Sequence, residues 1–168
     1  MAEVVDGSAQ RKIMVAVDES EESMYALSWA LDFLFVGNGG ANLPAKDILI
    51  LLHAQPHPRV YTATDGTGYI FTSDIVQSME RYQKNITEHV LEKAKSICTG
   101  KNVLVETKVS VGDARDVICE EAEKVEPDLL VMGSHGYGAI KRAFLGSVSD
   151  YCAHNAKCPV MIVKHPKK

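Results

Sequence analysis

The chain has 168 residues and a formal net charge of −4, with 46% hydrophobic and 24% charged residues. That length suits one domain with one sizeable core, and the acidic balance argues against general nucleic-acid binding, which needs concentrated positive charge. No apolar run approaches the ~20 residues that span a bilayer, and the first residues lack the basic-then-apolar pattern of a secretory signal, so a cytoplasmic protein with no membrane or nucleic-acid partner is expected.

Residues 1–11 read as a flexible lead-in, and residues 12–165 as a single domain. The apolar run from Lys12 to Val17 predicts a buried strand ending at Asp18. Asp18 to Ser23 is rich in capping and acidic residues, as a helix start should be, and Met24, Leu27, Leu31 and Leu34 follow at helical spacing. Breakers from Gly37 to Pro44 predict a loop before a second all-apolar strand, Asp47 to Ala54. Gln55 to Thr72 lacks periodicity and is long for a connection in a compact domain, which suits a functional or mobile loop.

Ser73 opens a long predicted helix with a continuous apolar stripe, Ile75, Met79, Tyr82, Ile86, Val90, Ala94 and Ile97, closed by Gly100. Val103 to Val109 predicts a third strand, and Asp113 begins a helix through Val117, Ile118, Ala122 and Val125 that stops before Pro127. Asp128 to Met132 is a fourth apolar strand, Ser147 to Asn155 a last helix, and Pro159 to Val163 a fifth strand. Strands apolar throughout and alternating with helices imply an α/β fold: an open, five-stranded parallel sheet with helices on both faces, Rossmann-like. Ligands of such sheets sit beyond the carboxyl ends of the strands, where the strand order reverses. That rule puts Asp18, Ala54 and Gly133 on one rim.

The segment after the fourth strand carries the chemistry. Gly133, Gly136, Gly146 and Ser147 form the pattern G-x2-G-x9-G-S, a glycine loop that leads into a helix. Glycines let backbone approach an anion closely, and the amides of a helix start, with the positive dipole end behind them, hold phosphate. The loop is not a P-loop, since GxxxxGK[ST] is absent, nor the dinucleotide fingerprint, which would follow the first strand. GxSxG is also missing, so a hydrolase triad has no anchor. The four cysteines form no CxxC pair and read as buried, reduced thiols; Cys152 and Cys158 beside His154 offer the alternative of a metal or thiol site. His53 reads as a strand-end residue, and His135, Lys141 and Arg142 as loop residues with a phosphate role as the alternative. Asp18 has a helix-cap reading beside a ligand one.

Val15 to Ser20, Leu51 to Ala54, Val131 to Gly133 and the whole glycine pattern resemble the universal stress protein family, in its ATP- or AMP-binding branch. The resemblance runs from about Arg11 to Lys164, and the long connections suggest a plant-like form. It implies that Asp18 accepts from ribose hydroxyls and that Ala16, Val17 and Ala54 border adenine. Met132 and Gly133 would line the ribose and α-phosphate. Gly136, Gly146, Ser147 and Val148 would cradle phosphate, helped by the Ser147 and Ser149 hydroxyls. The implied ligand is ATP or AMP, with Mg²⁺ as a companion of ATP and no protein metal site. The implied role is a regulatory protein of the stress response rather than a fast enzyme; a slow ATPase or adenylyl-transferring enzyme and a chaperone-like interaction protein are the alternatives. The apolar final strand, Val160 to Val163, should lie at a sheet edge and pair with a second copy as a homodimer.

Overall fold

The computed structural model describes residues 9–35, 47–58, 73–135 and 145–166. In chain order these form β1 (Lys12–Ala16), α1 (Glu21–Leu34), β2 (Ile48–Gln55), α2 (Ser73–Cys98), β3 (Leu104–Val111), α3 (Ala114–Val125), β4 (Leu129–Gly133), α4 (Ser147–Asn155) and β5 (Val160–Val163). The sheet is five-stranded in the order β3-β2-β1-β4-β5, and all its pairs are parallel. From β1 the chain steps outward through β2 to β3, then returns to the other side of β1 as β4. The order therefore reverses between β1 and β4, and their carboxyl ends flank a switch-point crevice.

The side-chain period of two divides β1, β2 and β4 between two cores. Ile13, Val15, Leu49, Leu51 and Val131 pack on one face against Leu27 and Leu31 of α1 and Val90 and Ala94 of α2. Met14, Ile50, Leu52, Leu130 and Met132 pack on the other against Ile118 and Ala122 of α3 and Cys152 of α4. Burial on both faces is the physical reason the inner strands read as unbroken apolar runs.

The first helix is capped by Ser20, whose hydroxyl accepts from the Ser23 amide at 3.1 Å. The third is capped by Asp113, which accepts from the Arg115 amide at 3.0 Å. It stops at Glu126 because Pro127 disfavours a right-handed helical conformation before it, and Glu126 takes the left-handed region (φ 50°) with its amide donating to the Ala122 carbonyl to close the last turn. Arg11, assigned above to the lead-in, is anchored: its amide and Nε donate to the buried Asp47 carboxylate at 3.1 and 3.0 Å. Residues 1–8 lie outside the described residues.

Two expectations need correction. The apolar stripe of α2 is buried only in its second half: Val90 and Ala94 are in the core, but Ile75 is 42% and Tyr82 65% exposed. The strand β3 runs two residues past Val109, because Ser110 and Val111 pair with Ala54 and Gln55 at the end of β2. The four cysteines are free thiols, with Cys119 and Cys152 Sγ atoms 3.9 Å apart. Burial pushes the Cys98 thiol up to about 11 and that of Cys152 up to about 12, so neither supplies a thiolate at neutral pH. Among the described residues no helix is long and apolar enough to cross a membrane, and no cluster of three or more His, Cys, Asp or Glu could hold a metal.

One acid is buried. Glu121 of α3 is 4% exposed and stands 3.1 Å from the Lys108 ammonium and 3.0 Å from that of Lys124. The Lys108 contact is close but misaligned for a hydrogen bond, so it acts as an ion pair. Desolvation pushes the Glu121 carboxyl up, but the two ammonium groups outweigh it and leave the carboxyl below its ordinary range. Ionised Glu121 thus stabilises the fold above the unfolded-state carboxyl pKa, and the contribution fades as pH falls through the lower, folded value. Glu121→Gln is expected to cost about 1–3 kcal/mol at neutral pH. In denaturant titrations from pH 7 downward the gap to the parent should narrow below about pH 4; a gap independent of pH would contradict the ion-pair account.

Candidate functional site

The switch point is concave. A cleft of about 490 Å³ opens at the carboxyl ends of β1, β2 and β4, between α2 on one side and the starts of α3 and α4 on the other. Of the residues singled out in the sequence, Ala16, Val17, Asp18, Ala54, Met132, Gly133, Val148 and Ser149 line it. Gly146 and Ser147 are the N-cap and first residue of α4, adjoining the lining residue Val148. Gly136, Lys141 and Arg142 lie outside the described residues.

Asp18 is placed by the turn that joins β1 to α1. Its Oδ1 accepts from the Ser20 amide at 2.9 Å and from the Ser20 hydroxyl. The Ser23 hydroxyl lies within hydrogen-bond range of both the Asp18 amide (3.0 Å) and its carbonyl (3.1 Å). Ser20, not Asp18, is the cap of α1; Asp18 orients the cap and is itself held at the cleft wall.

Gly133 has a packing role besides its place in the lining. A Cβ there would lie 2.9 Å from the backbone carbon and oxygen of Glu22 and 3.1 Å from the Ser23 nitrogen. Only a residue without a side chain lets the first turn of α1 close on the end of β4.

The entry to α4 differs from those of α1 and α3. Its cap is Gly146 (φ −67°, ψ 160°), with no side-chain hydrogen bond to the first turn. These torsions suit any residue, so the backbone does not demand glycine. The Gly146 amide donates to the Ser134 carbonyl at 2.7 Å, and the Ser134 amide to the Val163 carbonyl at 3.2 Å, which ties the loop to β5. Buried Ser149 donates its hydroxyl to Ser134 O at 2.8 Å, with Gly146 O at 3.1 Å. Its single proton is committed within the loop, so its hydroxyl braces the helix start.

Sequence reasoning missed part of the wall. Gly112, Asp113 and Ala114, after β3, also line the cleft. Gly112 (φ +150°) sits where a Cβ would be 2.9 Å from the Val117 side chain. The strand-end rule that selected Asp18 and Gly133 applies equally to Val111–Asp113, but the short expected extent of β3 hid it. Ser134 and His53 were likewise underweighted. His53 is 4% exposed, and its Nδ1 lies 2.9 Å from the Val17 carbonyl. A carbonyl only accepts, so Nδ1 carries the hydrogen. Its Nε2 is buried without a hydrogen-bond partner among the described residues.

The described lining holds three carboxylates, Asp18, Glu19 and Asp113, and no lysine or arginine. The Arg115 side chain and backbone amide beside Asp113 hold its carboxyl below the ordinary range. A second groove of about 680 Å³ runs along the exposed half of α2, past Pro56, Ile75 and Met79. It contains none of the predicted site residues.

Comparison with known proteins agrees with this architecture. The model of the universal stress protein family matches residues 10–164. The chain is 33% identical over 174 residues to a universal stress protein A-like protein of Arabidopsis thaliana, covering 94% of this chain and 92% of that protein. It is 40% identical over 158 residues to a universal stress protein of Methanocaldococcus jannaschii, covering 94% and 84%. A crystal structure of an Arabidopsis thaliana universal stress protein family protein with AMP bound superposes with a TM-score of 0.66 at 28% identity, covering 93% of this chain and 92% of that one. A single family model spanning the sheet and all four described helices, with relatives matched almost end to end, places this chain in the universal stress protein family.

Proposed function

We propose that the switch-point cleft binds an adenine nucleotide, AMP or ATP, and that the protein acts as a nucleotide-responsive regulatory module of the stress response in the cytoplasm rather than as a fast enzyme. The observation that carries this reading is the start of α4. Its first-turn amides have no side-chain cap, while α1 and α3 each use one. The related Arabidopsis structure holds AMP, which supports the ligand class.

In this reading Asp18 accepts from the ribose hydroxyls, Ala16, Val17 and Ala54 border the adenine, and Met132 and Gly133 line the ribose and α-phosphate. Gly136, the Ser147 hydroxyl and the Ser147 and Val148 amides take phosphate, and Gly146, whose amide is held by Ser134, gives it close approach through its missing side chain, with Mg²⁺ accompanying ATP. The three lining carboxylates repel phosphate from the β1 and β3 ends and so favour its seating at α4. One anion at a helix start gains only about 0.3–1 kcal/mol from the dipole. Micromolar affinity needs about 8 kcal/mol, so adenine burial and direct hydrogen bonds supply most of it. A homodimer through β5, which lies at a sheet edge, belongs to the same proposal.

Acid extraction of the purified chain should release an adenine nucleotide identifiable by chromatography. Adding AMP or ATP at a hundredfold excess over Kd stabilises the fold by about 2.7 kcal/mol, which raises Tm by roughly 5–10 °C for a chain of this size. No released nucleotide and no shift with millimolar AMP or ATP would refute the proposal.

A further inference from the structure

The sheet ends on two edges, and β3 is the more open. Six of its eight residues are exposed, whereas none of the four in β5 is. The exposed set includes Leu104 at 46%, Val105 at 37%, Val109 at 42% and Val111 at 50%. One side of β3 bonds to β2; no described strand covers the other. The strand contains neither proline nor glycine. A long apolar edge of this kind is a template for another strand unless charge keeps partners away.

Its two charges do not keep a second copy away. Glu106 and Lys108 lie on either side of Thr107, and Val105 and Val109 lie outside them. We propose that β3 pairs antiparallel with β3 of a second copy about a two-fold axis at Thr107, normal to the sheet. That register sets Glu106 opposite the partner's Lys108, Val105 opposite the partner's Val109, and Thr107 opposite the partner's Thr107. Directly opposed residues share a face, so each contact is repeated by symmetry and the opposed charges attract.

Neighbouring registers fail. Directly opposed residues must share a face, so the axis can only move by whole residues. Moving it to Glu106 opposes like carboxylates, and moving it to Lys108 opposes like ammonium groups. Lys108 already pairs with the buried Glu121 at 3.1 Å, with its side chain 40% exposed. The remaining exposed part of the ammonium can meet a second carboxylate.

This interface is separate from the β5 edge and from the cleft, so its failure would leave the nucleotide reading untouched. Thr107→Cys should form a disulfide-linked dimer under mild oxidation, since both kinds of antiparallel pair bring Cα atoms within disulfide reach. Val111→Cys, on the same edge but opposite the partner's Val103, should not, and the parent with its four cysteines is the control. Val105→Lys should weaken self-association in sedimentation equilibrium by roughly tenfold or more, and Val105→Lys with Val109→Glu should restore it. A parent-like Tm confirms that the variants fold. An unchanged mass in Val105→Lys, or equal cross-linking at 107 and 111, would overturn the proposal.

Discussion

Gly133→Ala is expected to destabilise the protein by about 1–3 kcal/mol, the cost of overpacking a site whose neighbours cannot move. The added Cβ would meet the Glu22 carbonyl carbon and oxygen at 2.9 Å and the Ser23 nitrogen at 3.1 Å. These are backbone atoms of the first turn of α1, so no rotamer change relieves the clash. Two responses are available: α1 shifts away from β4, or β4 shifts against β1 and β5. Either disturbs the turn in which Ser20 and Ser23 hold Asp18. A Tm lower by roughly 2–4 °C for each kcal/mol should therefore accompany a loss of nucleotide affinity, and Gly133→Val should exceed Gly133→Ala in both. A parent-like Tm for Gly133→Val would mean that α1 does not close on β4 as described.

Gly146→Asp should separate stability from binding. Aspartate is at least as good an N-cap as glycine, so the helix should hold or gain a few tenths of a kcal/mol. Its carboxylate would take the amides that glycine leaves uncapped and would repel phosphate. Affinity for AMP or ATP should fall about a hundredfold or more, equivalent to roughly 2.7 kcal/mol, with Tm of the free protein nearly unchanged. Gly146→Ala, which adds bulk without a cap, should lie between the parent and Gly146→Asp. Unchanged affinity in Gly146→Asp would show that the start of α4 does not hold the phosphate.

The strands were legible because both their faces are buried. β1, β2 and β4 carry side chains for two cores, so their sequences are apolar without a break, and their carboxyl ends located the cleft. The helix caps were legible in part. Ser20 and Asp113 are ordinary capping residues, but nothing in the residue type of Asp18 shows that its carboxylate serves the Ser20 cap. Periodicity shows that a helix has an apolar face, not what covers it, and so the stripe of α2 overran the core at Ile75 and Tyr82.

The Gly112 wall and His53 were hidden for a different reason. The role of the Gly112 wall depends on how far β2 and β3 run side by side, a register that places Val111 beside Gln55. That of His53 depends on β2 lying beside β1, which brings its Nδ1 to the Val17 carbonyl, and both are set by packing between strands distant in sequence. Gly133 shows the converse. Its place in a glycine pattern suggested a ligand, while its close contact with α1 supplies an independent reason for glycine that only the assembled fold reveals.

The most direct test of the nucleotide-binding account is a calorimetric titration of AMP into the purified full chain after removal of any bound nucleotide. The account predicts saturable heat with one site per chain and a micromolar dissociation constant. Heat no different from dilution, at protein concentrations where micromolar binding would be plain, would contradict it.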